Sequence, residues 1–224
     1  MNEVKVLNGK EYVFIENNSE DVIVSFNSHN GYPNFFKLNS LKDNTVCNYV
    51  FLNNKNNWYL DDDEGESYQK LLKNLLEKYD PKNITFFGSS MGGYGALYHG
   101  LKLGVNIIAS NPQIDKQVTL NHDIAEGTNY CNSLLKVDLI PIDRIVNEID
   151  SVESAIYIIS GNYLPDVENL KKLLSHLPNN IKYIIEKAPF KTHDYYIHDN
   201  CDLHYRHEIL KKLRLSKTSY SENY

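Results

Sequence analysis

The residues best suited to chemistry in this chain form Gly88-Ser89-Ser90-Met91-Gly92, a G-x-S-x-G pattern. A serine hydroxyl becomes an effective nucleophile only when a base takes its proton. It must also be lifted clear of its own backbone. The surrounding sequence supplies that second condition. The apolar run Ile84-Thr85-Phe86-Phe87 reads as a strand ending at the first glycine. Gly93-Tyr94-Gly95-Ala96-Leu97 reads as a helix with small residues that let it sit close to a sheet. Strand, turn and helix in that order place Ser90 at the tip of a sharp bend. The N–H of Met91, at the start of the new helix, then points where an oxyanion would form. The competing reading is a serine that only caps the helix; the strand before it and the small-residue helix after it favour the nucleophile.

The segment from Gly88 to Leu97 resembles the nucleophile elbow of the α/β-hydrolase superfamily. Within it, the similarity is to small serine esterases and to bacterial acyltransferases acting on surface polysaccharides. The order of elements carries the resemblance along most of the chain, as far as about Lys211. It implies an α/β-hydrolase fold, a mostly parallel sheet with helices on both faces, here with an N-terminal β-hairpin. It also implies that acid and base follow the serine in the order Ser, Asp or Glu, His. The acid then belongs in the loop after the strand Ala155–Ile159, where Asp166 is the choice and Glu168 the reserve. Asp166 could instead cap a helix starting at Val167, and Glu168 could be a first-turn acid favoured by the helix dipole. The base belongs after the last strand, where His193 and His198 compete. His193 is favoured because it lies just past the strand. It opens a His-Asp-Tyr stretch resembling the His-Asp-Trp that carries the base in some esterases.

A second oxyanion donor is expected from the loop Phe26-Asn27-Ser28-His29-Asn30-Gly31. The backbone N–H of Asn27 or Ser28 is the candidate, with Asn27 chosen; the lipase-type His-Gly-Gly-Gly form is absent. His29 reads as a solvated loop residue or as part of the mouth of the site. His198, Asp202, His204 and His207 form a competing cluster that could suggest a metal. Their spacing matches no standard zinc motif. They read better as polar positions of a closing helix, so no metal and no resident cofactor are expected.

These residues need a scaffold to bring them together. Asn8-Gly9 between Val4–Leu7 and Tyr12–Ile15 signals a hairpin. Val22–Phe26, Val46–Leu52, Asn106–Ser110, Ala155–Ile159 and Ile181–Ile185 read as further strands. Tyr68, Leu71, Leu72, Leu75 and Tyr79 recur at helical spacing, with Pro81 as a stop and an Asp63/Glu66 capping box at the start. Val167, Leu170, Leu173 and Leu174 mark another helical face, and Leu203, Leu210 and Leu213 a closing helix. From residue 46 onward strands and helices alternate, which favours a parallel sheet covered on both sides. The stretch near 114–152 is mixed in character and contains Pro141, which suggests a lid or substrate-binding insertion.

At 224 residues, residues 1–224 fit a single domain of this type. A net charge of −6 argues against nucleic acid as a partner, because phosphate binding wants a basic face. No apolar run reaches the length of a membrane span, and Met1–Lys5 lacks a signal peptide's apolar stretch; a cytoplasmic protein is expected. Cys47, Cys131 and Cys201 are widely spaced and read as free, buried thiols. The partners expected are a small ester or a glycan, with the oligomeric state open. The function expected is acyl transfer through an acyl-enzyme on Ser90. Hydrolysis or deacetylation, including of a carbohydrate ester, leads. The alternative is O-acetylation of a surface or capsular polysaccharide with acetyl-CoA as co-substrate, and a third reading is a non-catalytic binding protein of the same fold.

Overall fold

Asn8 and Gly9 both adopt positive φ, at 52° and 74°, as a tight hairpin turn requires. They join strands β1 (Lys5–Leu7) and β2 (Lys10–Ile15) in antiparallel register, with Leu7 opposite Lys10. The structure is a computed structural model. It describes residues 3–29, 31–55, 57–125, 132–149, 153–189, 191–193, 197 and 199–216. After the hairpin come β3 (Val22–Phe26), α1 (Leu38–Leu41), β4 (Asn48–Leu52), α2 (Glu66–Leu76), β5 (Ile84–Ser89) and α3 (Met91–Leu103). Then come β6 (Asn106–Ser110), α4 (Lys116–Ala125), α5 (Ile142–Glu148), β7 (Ala155–Ser160), α6 (Leu164–His176), β8 (Lys182–Lys187) and α7 (Asn200–Leu215).

The strands form one eight-stranded sheet in the order β1-β2-β4-β3-β5-β6-β7-β8. From β4 to β8 every neighbouring pair is parallel, and only the β1–β2 and β2–β4 pairs are antiparallel. This is the α/β-hydrolase arrangement that the elbow implied. Alternation along the strands divides the core into two layers. Val22, Val24, Phe26, Phe86, Ile107 and Ile158 face one side and meet Leu72, Leu97, Leu101 and Leu173 of α2, α3 and α6. Ile23, Phe51, Phe87, Ile108 and Ile159 face the other and meet Leu41 of α1 and Leu203, Leu210 and Leu213 of α7. Each such side chain contributes about 1.5–3 kcal/mol relative to exposure. A parallel sheet is stable only with both faces covered in this way.

Several boundaries differ from expectation, each for a local reason. The capping box before α2 does not form: Gly65, at φ 81°, is the N-cap residue. Asp63 still serves the helix start, accepting from the N–H groups of Gly65 and Ser67 at 3.1 and 3.0 Å. Helix α6 begins at Leu164 rather than Val167, because Pro165 fits the first helical turn, where its missing N–H costs nothing. The stretch after β6 holds α4 and α5, with residues 126–131 and 150–152 outside the described set. Cys47 is free and buried, and burial pushes its thiol up to about 12; Cys201 is free but exposed, against expectation, and Cys131 lies outside the described residues. No helix among the described residues is long and apolar enough to cross a membrane.

Candidate active site

Ser90 comes directly after β5, and its backbone is held at φ 56°, ψ −119°. A non-glycine residue rarely adopts this conformation, which costs on the order of 1–3 kcal/mol and needs support from its surroundings. That support is visible. The Ser90 N–H donates to the Ser110 carbonyl at 2.9 Å, and its own carbonyl accepts from Tyr94 N–H at 3.1 Å and Gln113 N–H at 3.3 Å. The glycines of the motif permit the bend. A Cβ on Gly88 would collide with the Gly92 carbonyl, and one on Gly92 would lie 2.5 Å from the Phe26 carbonyl oxygen. Neither position can carry a side chain without moving backbone, which explains the spacing of the pattern. Ser90 does not cap α3 with its side chain, so the capping reading of the motif does not hold. The residue is partly exposed, although almost everything around it is buried.

Because β5 to β8 are parallel, the residues after their C-terminal ends gather at one edge of the sheet. Asp166 arrives there in the first turn of α6, and His193 arrives six positions beyond the end of β8. The two meet: His193 Nδ1 lies 2.7 Å from Asp166 Oδ1. The Asp166 side chain is completely buried, whereas the imidazole keeps 32% of its surface. Since the carboxylate oxygen accepts, Nδ1 carries the proton and Nε2 is left with the lone pair that a general base needs. Asp166 Oδ1 also accepts from Gln113 Nε2 at 2.9 Å, and Oδ2 has no partner among the described residues. The ring of Tyr163 lies 6.1 Å from the imidazole. Asp166 is therefore not the helix cap; Tyr163 occupies that position. His198, the rival base, lies outside the described residues.

The end of β3 lies against the elbow, as the approach of Gly92 to Phe26 and Asn27 shows. Asn27 is buried and tied down on three sides. Its Nδ2 donates to the Asn34 carbonyl at 2.5 Å and to Asn53 Oδ1 at 3.0 Å, and its carbonyl accepts from Tyr59 Oη at 2.8 Å. Ser28 uses its carbonyl to accept from Gly31 N–H at 3.1 Å. Met91 is the first residue of α3, where a backbone N–H has no acceptor within the helix. His29 is not a solvated loop residue: it is buried, and its Nε2 lies 2.7 Å from Ser133 Oγ. Tyr94 Oη both accepts from Ile140 N–H at 3.0 Å and donates to its carbonyl at 3.1 Å. The stretch after β6 is thus fastened to the elbow helix and to the loop after β3. A cleft of about 1000 Å³, lined in part by Lys10, Lys55, Asn57, Ser133 and Lys136, opens beside it. Ser90, Asp166 and His193 do not line that cleft.

The polar residues of α7 do not converge as a common ligand set. His204 Nε2 lies 2.7 Å from Tyr49 Oη, and Asp202 lies 3.6 Å from Arg206. His207 is buried, with Nδ1 2.7 Å from Thr85 Oγ1 and Nε2 3.5 Å from Asp21 Oδ1. Asp21, His207 and Glu208 do come close enough to share an ion. The Lys211 ammonium already occupies that space, 2.8 Å from both oxygens of Asp21 and 3.1 Å from Glu208. The cluster is an ion-pair network fastening α7 to β3 and β5.

The sequence reading missed the support behind the acid: Gln113, Asn169 and Thr119, all buried. The signal that could have found Gln113 is a polar Asn111-Pro112-Gln113 directly after the buried strand β6. No family model matches the chain, and no curated relative matches it. Solved structures with the same fold do. The capsule O-acetyltransferase of Neisseria meningitidis serogroup A is similar at 18% identity and a TM-score of 0.65, covering 95% of this chain and 94% of that one. Acetyl xylan esterase 1 from Thermoanaerobacterium is similar at 16% identity and a TM-score of 0.58, covering 92% and 80%. The fluorophosphonate-binding serine hydrolase FphF of Staphylococcus aureus is similar at 12% identity and a TM-score of 0.54, covering 92% and 93%.

Proposed function

We propose that this protein is a serine-dependent acyl-transfer enzyme. Ser90 is the nucleophile, His193 the general base and acid, and Asp166 the group that orients and stabilises the imidazole. The observation that carries the reading is the buried Asp166 carboxylate holding Nδ1 of a partly exposed His193, at the sheet edge where a strained turn presents Ser90. In this reading Nε2 of His193 takes the Ser90 proton as Oγ attacks an ester carbonyl. The N–H groups of Met91 and Asn27 stabilise the oxyanion. The tetrahedral intermediate collapses, and imidazolium returns its proton to the departing alcohol or thiol. The acyl group is left on Ser90. An acceptor hydroxyl, deprotonated by the same imidazole, then attacks the acyl-enzyme and frees the serine.

With water as acceptor the protein is an esterase or deacetylase. A carbohydrate hydroxyl as acceptor makes it an O-acetyltransferase, with acetyl-CoA as the donor. The second reading is supported by the fold match: the capsule O-acetyltransferase is similar at a TM-score of 0.65, against 0.58 for the acetyl xylan esterase and 0.54 for the serine hydrolase. Incubation with acetyl-CoA, alone and with candidate glycans, tests both. Free acetate or acetylated glycan, lost in each case in Ser90→Ala, fits the proposal. Equal acetyl release by wild type and Ser90→Ala contradicts it. So does a folded wild type that binds glycan while giving neither product with simple acetyl esters nor an adduct on Ser90; that pattern belongs to a binding protein.

A further inference from the structure

The adjacent strands β3-β5-β6-β7-β8 all end at the same edge of the sheet. Asn27 lies just past β3, Ser90 past β5, Asp166 past β7 and His193 past β8. Only β6 has no part in the proposed reaction, and the loop at its end carries Gln113. This side chain is buried, with 4% of the residue exposed. Its backbone N–H donates to the Ser90 carbonyl at 3.3 Å. Its Nε2 donates at 2.9 Å to Asp166 Oδ1, the oxygen that also accepts from His193. One residue therefore spans the nucleophile's main chain and the acid's carboxylate.

The direction of the amide is fixed by its neighbours. Asn169 Oδ1 accepts the backbone N–H groups of Ile114 and Asp115, both at 2.9 Å, so that end of Asn169 must be oxygen. Its Nδ2 then donates to Gln113 Oε1 at 3.0 Å, and Thr119 Oγ1 donates to the same oxygen at 2.6 Å. Gln113 must present oxygen to Asn169 and Thr119, and NH2 to Asp166. The chain of donors starts at main-chain groups and ends on Asp166 Oδ1, the oxygen that also accepts from His193 Nδ1.

We propose that Gln113 is a positioning residue for acyl transfer, aiming Asp166 at His193 while bracing the strained turn at Ser90. The proposal rests on the Ser90–His193–Asp166 reading. A carboxylate oxygen with two N–H donors is held along two directions; with one donor removed, the group can turn and carry the imidazole with it. Hydrogen bonds to a charged acceptor are strong enough to set that orientation.

Two substitutions separate orientation from packing. Gln113→Met keeps length and removes the donor. Gln113→Glu keeps shape and the acceptor role towards Thr119 and Asn169, but turns an oxygen towards Asp166. Among the described titratable groups, Asp166 touches this side chain and His193 shares its Oδ1; Asp115, two positions along, pairs with Lys172. The readouts are fluorophosphonate labelling of Ser90 against probe concentration and pH, the denaturation midpoint, and the downfield proton resonance of His193 Nδ1–H. Gln113→Met is expected to lower the saturating labelling rate about 10- to 100-fold, with half-saturation unchanged, because a small misplacement of a catalytic group has that scale of cost. Its Nδ1–H resonance shifts or disappears. In Gln113→Glu two facing carboxyl groups share one proton. As that proton leaves, the added negative charge favours the imidazolium form of His193, which cannot act as a base, so the rise of labelling with pH moves to higher pH than in the wild type. Wild-type pH dependence in both variants, together with an unmoved resonance in Gln113→Met, overturns the proposal whatever happens to stability. If wild-type Ser90 does not label, the acyl-transfer reading fails by itself. The resonance still decides whether Gln113 orients the Asp–His pair.

Discussion

Two aspartate–histidine pairs stand at opposite strand ends of the same sheet, and they are built in reverse. In Asp166–His193 the acid is buried and the imidazole reaches solvent, at 0% and 32% side-chain exposure. In Asp21–His207 the imidazole is hidden at 1% and the acid keeps 21%. The first pair leaves a partly exposed imidazole at the strand-end edge of the sheet, where the strained turn also carries Ser90. The second closes both nitrogens within the protein, one against Thr85 and one against Asp21, whose charge is shared with Lys211. Asp21 is pulled down to about 2, first by His207 and then by Lys211. Catalysis of the kind proposed requires a base that can meet substrate; under that proposal the same two residue types serve chemistry in one place and a fastening in the other.

The sharpest way to break this contrast is to remove the nucleophile and its base. Ser90→Ala and His193→Ala should each lower ester turnover by about 10⁴-fold or more, with denaturation midpoints close to wild type, since triad members act as a unit. A turnover assay on purified variants checks this, and wild-type rates in either would dissolve the distinction. Asp166→Asn should cost less than either, on the order of 10⁴-fold in kcat, because it removes orientation and leaves the reacting groups in place. If that variant loses only stability, Asp166 belongs with Asp21 among the structural acids.

His207→Ala should do the opposite. Activity per folded molecule should survive, while urea unfolding shows a loss of about 2–4 kcal/mol from the cavity and the stranded Thr85 hydroxyl. The smallest effect near neutral pH concerns a third histidine. His99 is buried between Gln69 and the Tyr59 carbonyl, and burial drops it from 6.5 to about 3. The unfolded chain therefore takes up this proton first as pH falls. Stability should decline from about pH 6.5 towards pH 3, at up to about 1.4 kcal/mol per pH unit from this residue. His99→Gln should flatten that slope in urea titrations; an unchanged slope would mean that His99 is not a buried neutral imidazole.

The features legible in the sequence are local. The elbow can be read because glycines, serine and flanking apolar runs lie within a few positions of one another. The parallel sheet comes from alternating elements, and the order of acid and base that the resemblance implies then points to Asp166 and His193. The features that escaped depend on distance along the chain. Gln113 meets Asp166 across 53 residues and Thr85 meets His207 across 122, so neither partner can be read from the residues nearby in the chain. His29 looked solvated because its partner Ser133 is 104 positions away. The start of α6 was legible after all: Pro165 is a first-turn residue by its chemistry, and that placement moves Asp166 from cap to interior.

The most direct test of the central claim is to treat the folded wild-type protein with a fluorophosphonate and locate the adduct by peptide mass spectrometry. A single adduct on Ser90, absent from Ser90→Ala and strongly slowed in His193→Ala, is the predicted result. Folded protein that takes up no label, or carries it on another residue while Ser90 stays free, would contradict the account.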